Sequence, residues 1–95
     1  MIILTAPLQI WSNTEGRVHF MTLPEDQSGE VKAQALMERR GFGSVRVEVT
    51  IDDVTWRTSV FPIKRGGYFL PVKAAVCRKL GIVEGDEVTA SLELL

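Results

Sequence analysis

Thr55-Trp56-Arg57-Thr58-Ser59 places an indole, a guanidinium and three hydroxyls in five consecutive residues between Val54 and Val60. Side chains of a strand alternate between faces, so Thr55, Arg57 and Ser59 share one surface while Trp56 turns to the other and is expected to face the core. A guanidinium beside hydroxyls can grip a phosphate or carboxylate through a charge-assisted fork. Arg46, in the preceding strand, either stands beside Arg57 or pairs with an acid such as Glu48; spacing leaves both open. Lys64-Arg65-Gly66-Gly67 adds two cations ahead of two glycines. No Walker pattern or dinucleotide fingerprint accompanies them, so the tetrapeptide reads as a basic hairpin turn. Arg46, Arg57, Ser59, Lys64 and Arg65 are the candidate ligand-binding residues.

Catalytic chemistry finds less support. His19 is the only histidine, so any Ser-His-Asp or Cys-His constellation would be built on it, yet no nucleophile motif lies nearby. Cys77, the only cysteine, sits at the flank of an apolar stripe and is expected to pack as a small hydrophobe. It cannot form an internal disulfide and lacks companions for a zinc site, which suits a reducing cytoplasm. The acids at Asp52-Asp53 and at Glu84, Asp86 and Glu87 lack the ligand periodicity of a calcium loop and read as solvated turns. No enzyme activity, metal or cofactor is expected.

The chain has 95 residues and a formal charge of −1, with a pI near 5.8. Between residues 39 and 79 stand nine basic side chains against three acids, a surplus of six that the remaining residues outweigh with a deficit of seven. Such a distribution can draw an anionic partner to one side even when the total is near zero. Apolar residues at 45% and charged residues at 24% describe an ordinary globular chain, read as a single domain over 1–95. The apolar opening Met1-Ile2-Ile3-Leu4 is interrupted by Thr5 and Pro7 and has no basic residue before it, so neither a signal peptide nor a membrane anchor is expected.

These residues must be held by a succession of short elements. Leu4, Ala6, Leu8 and Ile10 alternate with more polar positions in one strand, with Pro7 marking an edge or bulge. Ser12 to Gly16 is a turn, and residues 18–23 form the partner strand, ending at Pro24. A helix is predicted over Ser28–Arg40, capped by Ser28 and Gly41, with Ala33, Leu36, Met37 and Arg40 on one face. Val45, Val47, Val49 and Ile51 alternate strictly with Arg46, Glu48 and Thr50, and the strand turns at Asp52-Asp53 into its hairpin partner, Val54–Phe61. After the 64–67 turn, Tyr68-Phe69-Leu70 is a short strand and Pro71 takes the first helical position. Val72, Val76 and Leu80 make a buried stripe, Gly81 stops the helix, and Val88, Ala90, Leu92 and Leu94 alternate in the last strand after a Gly85-Asp86 turn.

The order strand, turn, strand ending in Leu-Pro, helix, turn, alternating strand occurs twice, over about 2–51 and 54–94. Leu23-Pro24 and Leu70-Pro71 are 47 positions apart, and Val45–Val49 and Val88–Leu92 are 43 apart, the difference falling in a shorter second helix. Neither half can close a sheet or cover its own apolar faces alone. The expected fold is therefore mainly β with two short helices: a six-stranded double-split β-barrel of two pseudo-symmetric β-β-α-β halves.

The stretch from Phe69-Leu70-Pro71-Val72-Lys73 through Leu80-Gly81-Ile82-Val83-Glu84-Gly85-Asp86-Glu87-Val88 resembles swapped-hairpin proteins of the AbrB/MazE type. Three ordered motifs, Gly41-Phe42-Gly43-Ser44-Val45-Arg46-Val47, Thr55-Trp56-Arg57-Thr58-Ser59 and Gly67-Tyr68-Phe69-Leu70-Pro71-Val72-Lys73, are similar to a family of uncharacterised small bacterial and archaeal proteins. That family, a domain of unknown function, also occurs fused to bacteriocin-protection-type proteins. The resemblance implies a double-split barrel whose two halves lie in one chain, and no activity. The functional expectation is a non-catalytic binding module for an anionic small molecule or an acidic protein surface, existing as a monomer or weak homodimer. DNA binding by analogy with AbrB-type regulators is the alternative, and the low pI stands against it.

Overall fold

The computed structural model of the protein describes residues 1–37 and 43–95. Seven strands and two helices follow in the order β1 (Ile2–Pro7), β2 (Gln9–Asn13), β3 (Gly16–Thr22), α1 (Glu25–Met37), β4 (Val45–Ile51), β5 (Val54–Pro62), β6 (Tyr68–Pro71), α2 (Ala74–Leu80) and β7 (Glu87–Leu94). The strands make one curled antiparallel sheet in the order β1-β7-β4-β5-β6-β3-β2. The fold is thus mainly β with two helices, as expected.

The segment read as one opening strand is two. Pro7 has no amide hydrogen to continue a ladder, and Leu8 leaves the pairing altogether. Its N–H donates to Asp86 O and its carbonyl accepts from Gly85 N, both at 2.8 Å. The Gly85-Asp86 turn is thereby stapled to the point where the chain changes partner: β1 lies on β7, and β2 lies on β3. The two ends of the strand order are consecutive in the chain. β5 makes a similar change, pairing β4 as far as Val60 and β6 through Phe61 and Pro62.

Exchanging β1 and β2 with β5, β3 with β6 and β4 with β7 returns the same set of neighbours. Aligning Leu23-Pro24 with Leu70-Pro71 matches Thr22 to Phe69, and these two residues lie opposite each other. Aligning β4 with β7 matches Val49 to Leu92, and these too are opposite. The outer ladders follow the same scheme. Ile2 lies opposite Leu92 as Trp56 lies opposite Val49, and Gln9 lies opposite Phe20 as Ile63 donates to Gly67 O at 3.0 Å.

The strict alternation of β4 buries Val45, Val47, Val49 and Ile51. They join Ile2, Leu4, Leu8, Val60, Leu70, Val88, Ala90 and Leu92 in one core. Burial is the main favourable term, at about 1.5–3 kcal/mol for each large apolar side chain taken out of water.

Both helices depart from expectation. α1 starts at Glu25, where Ser28 N–H to Pro24 O at 2.9 Å is the first helical bond. Ser28 is therefore inside the helix and buried, with Val31 and Ala35, while Leu36 and Met37 are exposed. Small side chains at Ser28 and Ala35 let the helix approach the sheet closely, which selects this face over the Ala33–Leu36–Met37 one. The predicted helix end at Arg40, with its Gly41 cap, lies outside the described residues. Ser28 Oγ acts as a tie instead of a cap, donating to Leu23 O at 3.2 Å and accepting from Tyr68 N at 3.3 Å. Gly67 passes against that hydroxyl at φ +88, and a Cβ on it would stand 3.4 Å from Ser28 Oγ. Pro71 closes β6 instead of opening α2, and Lys73 is the N-cap. Gly81, at φ 69, ends α2 in the left-handed conformation, and Ile82 N–H returns to Cys77 O at 3.1 Å.

Ser28→Ala removes both bonds of the tie and strands the buried Tyr68 N–H. Leaving such a donor unpaired costs about 1–3 kcal/mol. At about 4–8 °C per kcal/mol for a domain of this size, thermal unfolding should move down by at least about 4 °C.

Candidate functional site

The hairpin of β4 and β5 positions the first three candidate residues. Its two-residue turn at Asp52-Asp53, with Asp52 at φ 53, sets a register in which Arg46 lies opposite Ser59 and Glu48 opposite Arg57. Arg46 and Arg57 are therefore diagonal neighbours, within reach of one another for long side chains. The open choice for Arg46 resolves in favour of proximity, because Glu48 turns to Arg57: Arg57 Nε donates to Glu48 Oε2 at 3.2 Å. Arg57 is 65% and Glu48 37% exposed, so the pair adds less than about 1 kcal/mol to stability. Its effect is to orient the guanidinium. Arg46 and Arg57 line a cavity of about 400 Å³ with Ser44, Val45 and Leu95. Among the described residues Arg46 forms no ion pair.

Lys64 and Arg65 are not part of this cavity. They occupy the tip of a turn closed by Gly66 N–H to Ile63 O at 2.9 Å and Ile63 N–H to Gly67 O at 3.0 Å. Arg65 lines a separate cavity of about 480 Å³ with Lys32, Glu25 and Ser28. The five candidates thus fall into an Arg46–Arg57–Ser59 group and a separate basic turn. Arg39 and Arg40, which contribute to the basic surplus of the middle segment, lie outside the described residues.

Trp56 packs against the core, and its Nε1 is buried with no hydrogen-bond partner among the described residues. Thr55 faces the opposite way, its hydroxyl 2.9 Å from that of Thr50 across the hairpin.

His19 and Cys77 line a common cavity that sequence spacing gave no sign of. It measures about 380 Å³ and lies between β2, β3 and α2, with Arg17, Arg78 and Glu84 also in its lining. The arrangement does not activate the thiol. Cys77 is buried, its Sγ donates to Val72 O at 4.0 Å, and burial pushes its pKa up, outweighing the opposing effects of the backbone bond and Arg78. A reactive cysteine needs the opposite shift. Among the described residues no three His, Cys, Asp or Glu side chains group to hold a metal ion. No helix there is long and apolar enough to cross a membrane.

An apolar surface groove was not foreseen. Trp11, Val18, Phe20, Ile63 and Phe69 line a groove of about 460 Å³ across the outer face of β2, β3 and β6 and the end of β5. Phe20 meets Phe69 edge-on at 6.0 Å and Phe61 stacks on it at 5.5 Å. The signal was in the pattern. Met21 and Leu70 are buried, so the neighbouring Phe20 and Phe69 must turn outward.

Residues 5–92 match the family described as a domain of unknown function, DUF1905. The chain belongs to that family. No curated protein matches it. The matched span runs from within β1 to within β7, covers the described elements between them, and assigns no chemistry to them.

A raised thiol pKa favours the neutral form in the folded state. Its contribution to stability is complete below the ordinary thiol value, about 8.5, and is lost as pH rises through the folded value. Chemical denaturation from pH 7 to 10 should show stability falling in the alkaline range, and Cys77→Ala should flatten that fall.

Proposed function

We propose that the protein is a non-catalytic binding module whose anion site is the outer face of the β4–β5 hairpin. One observation carries the reading: the register sets Arg46 against Ser59 and Arg57 against Glu48, with both guanidiniums lining one cavity beside Ser44. Glu48 holds the Arg57 fork in place, and Arg46 supplies the charge that meets the ligand. The Ser44 and Ser59 hydroxyls complete the donor set for a carboxylate or phosphate, on a small molecule or an acidic protein surface. A hydrogen bond to a charged group contributes about 1.5–3 kcal/mol, which sets the scale of affinity lost with either arginine.

The scaffold of this module is, in the same reading, a six-stranded double-split barrel in which β1 and β2 act as one bent strand. The opposed pairs Thr22–Phe69 and Val49–Leu92 support a pseudo-two-fold axis through the two central ladders. That arrangement underlies the likeness to AbrB/MazE-type proteins, whose two halves come from separate subunits. The absence of an activated nucleophile among the described residues is compatible with a role in binding.

Inorganic phosphate and citrate are suitable probes. Saturating either at about a hundredfold its Kd should stabilise the chain by about 2.7 kcal/mol, read as a rise in melting temperature. Arg46→Glu with Arg57→Glu should abolish that rise, and Glu48→Gln should leave stability within about 1 kcal/mol. An unchanged rise in the double variant overturns the site. Retardation of duplex DNA at low salt, lost in the same variant, would support the regulatory alternative.

A further inference from the structure

Two residues at the outer rim of β2 have no backbone partner among the described residues. Val72 N–H donates to His19 O at 2.8 Å and Leu23 N–H to Tyr68 O at 3.0 Å, so the odd-numbered residues of β3 direct their backbone groups to β6. Residues along a strand bond alternately to one side and the other. Gly16, Val18 and Phe20 therefore bond β2, through their opposite residues Asn13, Trp11 and Gln9. Leu8, Ile10 and Ser12 must then direct their groups away from β3. Leu8 does so, its amide and carbonyl both taken by the Gly85-Asp86 turn. Ile10 and Ser12 point the same way with no such turn beside them. An open edge of this kind is normally blunted by a lysine, a proline or a bulge. Gln9-Ile10-Trp11-Ser12-Asn13 contains no charged residue and no proline, and its register with β3 runs without a bulge. Its free length is bounded by the Leu8 staple at one end and the Thr14-Glu15 turn at the other, with Trp11 at the midpoint.

We propose that this rim is occupied by a second copy of the chain, the two β2 strands pairing antiparallel about a two-fold axis at Trp11. The register follows from the free groups. Ile10 of one copy lies opposite Ser12 of the other, and each such pair exchanges both of its N–H to O bonds. It is the one two-fold register that satisfies both residues within Gln9–Asn13. A self-complementary contact of this kind is what a two-fold dimer requires. Trp11 then faces its own counterpart in a non-hydrogen-bonded pair, where side chains approach closest and aromatic partners are favourable. Trp11 is 56% exposed in the single chain, so the contact takes indole surface out of water. Gln9 meets Asn13, and no like charges oppose one another between the paired strands. The pairing continues β6-β3-β2 into the second copy and sets the two aromatic grooves side by side on one face. The paired stretch is 5 residues long, against roughly 20–30 residues a side in a stable interface. The dimer is therefore weak and depends on concentration.

Sedimentation of the full chain from about 10 µM to about 1 mM should show the mass rising toward that of two chains. Over the same range, amide exchange followed by NMR should slow at least about fivefold at Ile10 and Ser12, and change little at Trp11, whose N–H is already bonded to β3. Trp11→Lys and Trp11→Glu should each stay monomeric, because like charges then oppose across the axis. An equimolar mixture of the two should associate again. Ser12→Pro removes a donor that the single chain leaves unbonded, a position where an edge strand tolerates proline. It should abolish association while moving the melting temperature by less than about 4 °C. Arg46→Glu with Arg57→Glu should leave association unchanged, which separates this contact from the anion site. A chain that stays monomeric to about 1 mM overturns the proposal. Association in which Ile10 and Ser12 exchange as in the monomer overturns it too, assigning the contact to the aromatic face. So does a Lys and Glu mixture that associates no better than its components, which moves the axis away from Trp11.

Discussion

Backbone hydrogen bonding at strand edges is the constraint on which this fold depends. A sheet of seven strands has two rims of unpaired amides and carbonyls, and small proteins must pair, cover or blunt them. Here the two rim strands, β1 and β2, are successive pieces of one chain segment. The change of partner is made at a single residue, Leu8, whose amide and carbonyl are both taken up by the Gly85-Asp86 turn. The turn is itself fixed, with Asp86 N–H bonded to Val83 O and its carboxylate receiving Val83 N–H at 2.9 Å. Leu8 is wholly buried, so the same residue that redirects the backbone also fills the core.

The curl that follows gives the sheet two unlike surfaces. Its inside is aliphatic, and α1 and α2 lie against it through small residues, Ser28, Ala35 and Cys77. Its outside is divided along the chain. Over β4 and β5 it is polar, with an ion pair and two guanidiniums, and over β2, β3 and β6 it is aromatic. Antiparallel sheets commonly face water on one side, and the polar half obeys that pattern. The aromatic half departs from it, leaving Trp11, Val18 and Phe61 exposed to water.

Much of this architecture was legible in the sequence because period-2 alternation needs no tertiary information. β4, with valine or isoleucine at every second position, is the clearest case, and β7 follows it. The helix stop at Gly81 was readable for the same reason, since a left-handed turn is a local property, whereas Pro7 reads only as an edge or bulge and the break beside it is decided by the distant Gly85-Asp86 turn. α1 was misread because its buried stripe consists of Ser28, Val31 and Ala35, two of them too small to register as apolar signal. Ser28 looks like a cap by residue type. Its role is decided by Tyr68, 40 residues away. Local logic also explains the divided candidate site. Arg46, Ser59 and Arg57 belong to one hairpin whose register a two-residue turn dictates, whereas the placement of Lys64 and Arg65 follows from where β6 and α1 meet. The aromatic groove escaped notice because residues 18–23 carry apolar side chains on both faces, Val18 and Phe20 on one and Met21 and Leu23 on the other. Only β6 on one side of β3 and β2 on the other decide which set faces out.

Ile2 stands opposite Leu92, so β1 has no sheet partner until β7 has been made. Contacts this distant in sequence close slowly, and until they close, the aliphatic side of β1 and the bare flank of β4 stay open to other chains. Closure of the sheet therefore waits on the synthesis of β7. A nascent chain stalled before β7 presents two unsatisfied strand borders to whatever chaperone or aggregate reaches them first.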